Sequence, residues 1–140
     1  MISIKEISCE LVWPIRHQVM YPEMEFDSIK LEADHHAIHL GLFDNDKLIS
    51  VVSLFKKNDE LQFRKFATIA SHQSKGYGSL LMQYILKYSL QNGFSRVWCN
   101  ARKTAAGFYR KFGFAETADQ FFKDGHWFVV MEWRSLTASA

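Results

Sequence analysis

Gln73-Ser74-Lys75-Gly76-Tyr77-Gly78 lies where a β-type run, Leu61 to Ile69, gives way to an apolar helical run, Ser79 to Asn92. Residues of these types at the start of a helix can hold an anion. The first N–H groups of a helix have no partner within it, the aligned peptide dipoles add partial positive charge, and glycines let a phosphate approach the main chain without meeting a Cβ. Lys75 adds a full charge. A turn that merely starts a helix also uses glycine, so the chemistry needs support from elsewhere in the chain. Two nucleotide motifs are excluded. Leu81 stands where a dinucleotide-binding Gly-x-Gly-x-x-Gly needs its third glycine, and no Gly-Lys-Ser/Thr ending forms a P-loop.

A second group of residues follows: Arg96-Val97-Trp98-Cys99-Asn100, then Ala105-Ala106-Gly107-Phe108-Tyr109-Arg110-Lys111-Phe112-Gly113-Phe114. Glycine turn, long helix, strand, and a short helix carrying Ala-x-x-x-Tyr and ending in Gly-Phe resemble, in this order, the GNAT superfamily of acyl-CoA-dependent N-acetyltransferases. The Asn-Ala-Arg run and the segment Arg16-His17-Gln18-Val19 look similar to a small bacterial subgroup of it. The resemblance covers Leu48 to Trp133. It implies acetyl-CoA as co-substrate, with Gln73, Gly76 and Gly78 at the coenzyme A pyrophosphate and Ser74, Lys75, Tyr77 and Ser79 in the same loop. It further implies that the backbone of Phe66, Ala67 and Thr68 meets the pantetheine arm, and that Tyr109 faces the thioester sulfur. One position departs from the family: many members carry asparagine seven residues before the tyrosine, whereas this chain has Arg102, with Asn100 the nearest amide. Both are candidate coenzyme contacts.

Acyl transfer from a thioester to an amine needs a neutral amine, a stabilised oxyanion and a proton for the departing thiolate. A tyrosine, pKa about 10, can donate to a thiolate whose thiol titrates near about 8.5, and Tyr109 is the candidate. Packing between Phe108 and Phe112 is the plain structural alternative. By resemblance, a strand N–H near Ala67 or Thr68 meets the oxyanion. For the base, His39, Glu60, Glu32, Asp34 and His126 all stay open. His35, His36 and His39 lack a carboxylate or cysteine that would complete a metal set, so no metal is expected. Trp13, Phe121, Phe122 and Trp127 could line an acceptor pocket.

The elements that must position these residues follow from pattern. Ile2, Ile4 and Ile7 predict a strand, and Ser8 is placed to cap a helix in which Leu11, Ile15 and Val19 recur at four-residue spacing, with Pro14 in its first turn or at a kink. Tyr21-Pro22-Glu23 ends it. Glu25 to Asp34 is acidic and weakly patterned, an irregular or loosely helical loop. A hairpin follows, His36 to Phe43 and Lys47 to Phe55 about Asp44-Asn45-Asp46, and then a turn at Lys56 to Asp59. In the next strand the alternation of Leu61, Phe63 and Ile69 breaks near Lys65 and Phe66, where a bulge or splay is expected. Leu81, Tyr84, Ile85 and Tyr88 form the buried stripe of the long helix, closed by Gly93. After the strand Arg96 to Asn100 and a helix Thr104 to Phe112, a hairpin pairs Ala115 to Phe122 with His126 to Trp133 across Lys123-Asp124-Gly125. The fold class is α/β (α+β): a twisted mixed, mainly antiparallel sheet flanked by helices on both faces. The helix that crosses over from the central strand to Arg96–Asn100 makes those two strands a parallel pair, and the resemblance adds that the pair is splayed.

With 140 residues and 48% hydrophobic content, the chain is read as one domain, 1–140. A formal charge of +2 argues against a nucleic-acid partner. No signal-peptide core or membrane span is visible. Cys9 and Cys99 share no metal spacing and are expected as reduced thiols, which fits a cytoplasmic protein. A homodimer is an open assembly. Two functional readings result: an N-acyltransferase acting on a small-molecule amine or an exposed amino group, and a non-catalytic acyl-CoA-binding module.

Overall fold

The computed structural model of the chain describes residues 1–135. Its strands are β1 (Ile2–Ile7), β2 (Ile38–Asp44), β3 (Lys47–Lys57), β4 (Glu60–Thr68), β5 (Arg96–Arg102), β6 (Ala115–Lys123) and β7 (His126–Arg134). Its helices are α1 (Cys9–Met20), α2 (Tyr77–Gln91) and α3 (Ala106–Arg110). The strand order is β1-β2-β3-β4-β5-β7-β6. The pairs β1/β2, β2/β3, β5/β7 and β6/β7 are antiparallel, and β4/β5 is parallel. This is the mixed, mainly antiparallel sheet with one parallel pair that the order of elements predicts. Packing divides the chain into two compact units, and β4 and α2 each begin in one and end in the other.

The first unit holds Met1–Phe55 and Phe63–Tyr84. Its β2–β3 hairpin turns on Asn45 and Asp46, with φ of 49° and 68°. Two successive left-handed residues give a turn whose twist matches the strands. In α1 the buried face is Cys9, Val12, Trp13 and Arg16, while Leu11 is 49% exposed. The helix is therefore rotated from the expected Leu11-Ile15-Val19 stripe. Cys9 and Trp13 pack on Ile29, Val12 packs on Val51 and Ala67, and Arg16 enters a polar network that an aliphatic pattern does not reveal. Ser8 occupies the cap position in extended backbone, without a side-chain capping bond. The acidic loop contains two 3₁₀ turns, Phe26–Ile29 and Glu32–His36. In β4, Lys65 has φ of +59°, so the alternation breaks at the residue where the pattern fails.

Among the described residues, the second unit holds Lys56–Gln62 and 85–135. The parallel register runs Glu60 to Arg96, Leu61 to Val97 and Gln62 to Trp98, and ends there. Arg96 ties this pairing to β7, reaching Glu60 at 3.1 Å and Glu132 at 2.6 Å. Gly93, with φ of +76°, closes α2. In α2, Leu81 and Ile85 are buried as expected, joined by Met82 and Ser89, with Tyr84 and Tyr88 half-buried. The last helix is shorter than its pattern: a 3₁₀ turn, Lys103–Ala105, leads into five residues of α3. Gly113 stops it with φ of +92°, facing Trp133. The β6–β7 hairpin turns on Asp124 and Gly125, and its register slips between Glu116 and Gln120.

Candidate active site

The residues that carry chemistry form two groups, one in each unit. In the first, the chain leaves β4 at Thr68, makes a 3₁₀ turn over Ala70–His72 and enters α2 at Tyr77. Ser74 and Gly76 are both left-handed, with φ of 62° and 86°. The first helical hydrogen bond runs from Leu80 N–H to the Gly76 carbonyl at 3.2 Å. The N–H groups of Tyr77, Gly78 and Ser79 precede it and have no acceptor within the helix. A Cβ built on Gly76 meets nothing within 4 Å, so the loop is open on that side. Open space against a helix N-terminus fits a phosphate-bearing group.

Side chains hold this loop in shape. Gln73 Nε2 donates to the Thr68 carbonyl at 2.9 Å, tying the loop to the end of β4. Tyr77 donates its hydroxyl hydrogen to Asp44 Oδ2 at 3.0 Å, and that bond, with burial and the carboxylate charge, raises the phenol pKa. The Tyr77 ring is thus engaged by the β2–β3 turn, and its main-chain N–H is what remains for a ligand. Ser74 and Lys75 are exposed. On β4, Ala67 is buried, and its carbonyl accepts from Ser50 Oγ at 3.2 Å. The hydroxyls of Ser50 and Thr68 are 2.8 Å apart, and half-buried Phe66 meets Phe63 edge to face at 6.3 Å.

In the second unit, Tyr109 sits on α3 between Phe108 and Phe114, with ring centroids 5.3 Å and 6.1 Å away. Burial, and then the proximity of Cys99, raise its pKa well above the ordinary phenol value. It is a neutral O–H donor across the physiological range. Cys99 is itself pushed up to about 12 by burial. On β5, Asn100 and Arg102 are both exposed, and strand alternation puts them on one face, opposite buried Cys99 and Ala101.

The base candidates are mostly engaged. Asp34 is wholly buried: its carboxylate accepts from Arg16 at 2.7 and 3.1 Å, from Trp13 Nε1 at 2.9 Å and from Leu31 N–H at 2.8 Å. His39 is buried, with Nε2 2.8 Å from the Asp34 carbonyl and Nδ1 2.7 Å from Ser53 Oγ. A carbonyl only accepts, so Nε2 donates to it, and Ser53 Oγ, which lies beside Nδ1, accepts from Arg16 Nη2 at 3.0 Å. Glu60 pairs with Arg96, whereas Glu32 and His126 are exposed. Among the aromatics proposed for an acceptor pocket, Trp13 is instead in the core, drawn there by its bond to Asp34. Phe121 stacks on Phe128, and Phe122 and Trp127 are exposed. Among the described residues no three His, Cys, Asp or Glu side chains could hold a metal ion, and no helix is long and apolar enough to cross a membrane.

Sequence reasoning missed the Arg16–Asp34–Ser53–His39 network. The available signal was spacing: Arg16 continues the row formed by Cys9, Val12 and Trp13 at helical intervals of three and four.

Comparison with known proteins adds to this geometry. The sequence model of the acetyltransferase (GNAT) domain matches residues 8–135. The chain is 29% identical to the uncharacterized N-acetyltransferase YitI of Bacillus subtilis (strain 168), over 99% of each chain. The crystal structure of the ribosomal-protein-S18-alanine N-acetyltransferase from Escherichia coli superposes with a TM-score of 0.78 at 17% identity, covering 96% of this chain and 94% of that one. A GNAT family acetyltransferase from Elizabethkingia anophelis, crystallised with acetyl-CoA bound, gives 0.74 at 13%, covering 96% and 98%. At these identities the structural likeness is one of fold.

Proposed function

The chain belongs to the acetyltransferase (GNAT) domain family, whose sequence model spans residues 8–135, and from that premise we propose that it transfers an acetyl group from acetyl-CoA to a primary amine. The observation that carries the reading is the open turn at the start of α2. There a left-handed Gly76 with free space around it precedes three N–H groups that no helical carbonyl accepts. The Elizabethkingia anophelis relative, of the same fold, was solved with acetyl-CoA. The whole chain is read as one transferase domain.

In this reading the N–H groups of Tyr77, Gly78 and Ser79 and the open side of Gly76 hold the pyrophosphate, with Ser74 and Lys75 beside it and Gln73 shaping the loop. Asn100 and Arg102 are further coenzyme contacts. The main chain of Phe66, Ala67 and Thr68 holds the pantetheine arm, and an N–H at Ala67 or Thr68 stabilises negative charge developing on the acyl oxygen. Acetyl-CoA, when bound, supplies an activated thioester acyl group. The neutral amine adds to the acyl carbon to give a tetrahedral intermediate; as its C–S bond breaks, Tyr109 Oη–H gives its proton to the departing sulfur, and the proton released by the newly bonded nitrogen restores the phenol. Burial that raises this phenol also raises a neighbouring thiol, as Cys99 at about 12 illustrates.

The second reading, a non-catalytic acyl-CoA-binding module, draws on the engagement of Asp34, His39 and Glu60. One assay separates the two: coenzyme A release measured over a panel of polyamines, amino acids, aminoglycosides and peptide N-termini. Amine-dependent release supports the enzyme. Calorimetric binding of acetyl-CoA without release on any amine supports the module. Two free, buried thiols support a reducing, cytoplasmic setting.

A further inference from the structure

We propose that Lys65 and Tyr21 form an anion-recognition subsite that selects an acceptor carrying a carboxylate a few bonds from its reacting amine. The proposal rests on the acetyltransferase reading above and names the substrate class for it.

Lys65 lies inside β4 with φ of +59°, a backbone conformation that residues with a Cβ rarely adopt. Such outliers persist where the surrounding structure enforces them, and they cluster at functional sites. The result here is a half-buried lysine whose ammonium donates to the hydroxyl oxygen of Tyr21 and lies 4.8 Å from the centre of its ring. Tyr21 is fixed in turn. It terminates α1 and packs against Cys9, Trp13 and Ile29.

What the pair lacks is a counter-charge. Arg16, Lys30 and Arg96 each meet a carboxylate, yet among the described residues none lies within ion-pair distance of Lys65. Glu23, Glu25 and Asp27, in the loop after Tyr21, are exposed to solvent. An ammonium held in place by Tyr21 and without a protein carboxylate is preorganised to pair with a ligand carboxylate.

The donor inventory suits one. An ammonium has three N–H donors and only one is given to Tyr21; Tyr21 accepts that bond with its oxygen and keeps its own O–H to donate. N–H and O–H together match the two oxygens of a carboxylate.

Position limits how far that carboxylate can be from the amine. Lys65 directly precedes Phe66, Ala67 and Thr68, the residues assigned above to the acyl-bearing arm, and successive Cα atoms are about 3.8 Å apart. An attacking amine must come within about 3–3.5 Å of the acyl carbon. A lysine whose backbone adjoins that arm can meet a group close to the amine, as in an α-amino acid. Polyamines and aminoglycosides have no such group.

The test compares free α-amino acids with their carboxamides and methyl esters as acceptors, in wild type, Lys65→Met, Lys65→Arg and Tyr21→Phe. Wild type should favour the acids at least tenfold in kcat/KM. Lys65→Met should abolish that preference by lowering the rate on acids and not on amides. Lys65→Arg should keep most of it, and Tyr21→Phe should lose part. Equal loss on acids and amides, or a wild-type preference for amides, esters or polyamines, overturns the subsite. Calorimetric binding of α-amino acids and 2-hydroxy acids to the coenzyme A-loaded protein reads the subsite without turnover. Binding that is absent in wild type, or that persists in Lys65→Met, also overturns it. If acids bind in a Lys65-dependent way while no amine is acetylated, the subsite stands and the transferase reading fails.

Discussion

Tyr77, the first residue of α2, donates its hydroxyl hydrogen to Asp44 Oδ2 at 3.0 Å, joining the start of that helix to the β2–β3 turn. The bond fixes the direction of the N–H groups that would meet a pyrophosphate. Tyr77→Phe should raise KM for acetyl-CoA by roughly threefold to tenfold, the worth of one such hydrogen bond, with kcat unchanged. Asp44→Ala should do the same, and the double variant no more than either alone, because both remove one interaction. Additive effects in steady-state kinetics would count against a positioning role.

At Gly76 the protein itself leaves room for a side chain, so the cost of a substitution comes from backbone and ligand. Its φ of +86° is strained for any residue with a Cβ. Gly76→Val and Gly78→Val should abolish acetyl-CoA binding while the protein stays folded, as judged by calorimetric titration beside a thermal melt. Unchanged affinity in folded variants would remove the cradle assignment. Lys75→Ala should cost tenfold or less, and less still at high salt, because its charge is exposed.

If Tyr109 protonates the leaving thiolate, Tyr109→Phe should lower kcat by about 10²-fold or more and leave acetyl-CoA affinity in place. That split assigns the lost interaction to the transition state. A donor is lost when it ionises, and the raised pKa moves that event to the alkaline side of the ordinary phenol value near about 10. The pH–rate profile of wild type should show no fall from this group below that value. Wild-type turnover in Tyr109→Phe would transfer the proton to another donor.

Asp34 and Arg16 set the acid stability of the first unit. Burial acts to raise the Asp34 pKa, but hydrogen bonds from Arg16, Leu31 N–H and Trp13, with the Arg16 charge, hold it below the ordinary value. A depressed carboxyl contributes stability that is complete above its unfolded pKa, about 3.9, and lost as pH falls through the lower folded value. Melting temperatures of wild type should therefore decline below about pH 4. Asp34→Asn should destabilise at neutral pH by about 3–5 kcal/mol, because it leaves Arg16 buried without its counter-ion. A melt within a degree or two of wild type would show the pair to be dispensable.

Features set by neighbours in sequence were readable before the fold was known. Asn45-Asp46 and Asp124-Gly125 are turn chemistry, Gly93 is a helix stop, and the failed alternation at Lys65 is the residue with φ of +59°. The family motifs located the α2 loop. The orientation of α1 was missed, because Arg16 faces inward toward Ile29, Asp34 and Ser53, all distant in sequence, and a search for aliphatic spacing treats an arginine as surface. Without Arg16 placed beside it, Asp34 looked like a loop carboxylate free for catalysis. The extent of α3 was misjudged because two of its expected residues, Thr104 and Ala105, belong to a 3₁₀ turn instead, and Lys111 and Phe112 lie beyond its end.

The state of the two cysteines has a practical side. Cys9 and Cys99 are 8% and 3% exposed, and burial raises both thiol pKa values. Disulfide exchange runs through thiolate, so the folded protein is nearly silent toward a chromogenic disulfide reagent. Coenzyme A set free during turnover reacts at once. The reaction can thus be followed continuously by colour against a flat protein background. In denaturant, the same dye reports two equivalents of thiol per chain as the core opens, and one reagent serves as both activity readout and unfolding clock.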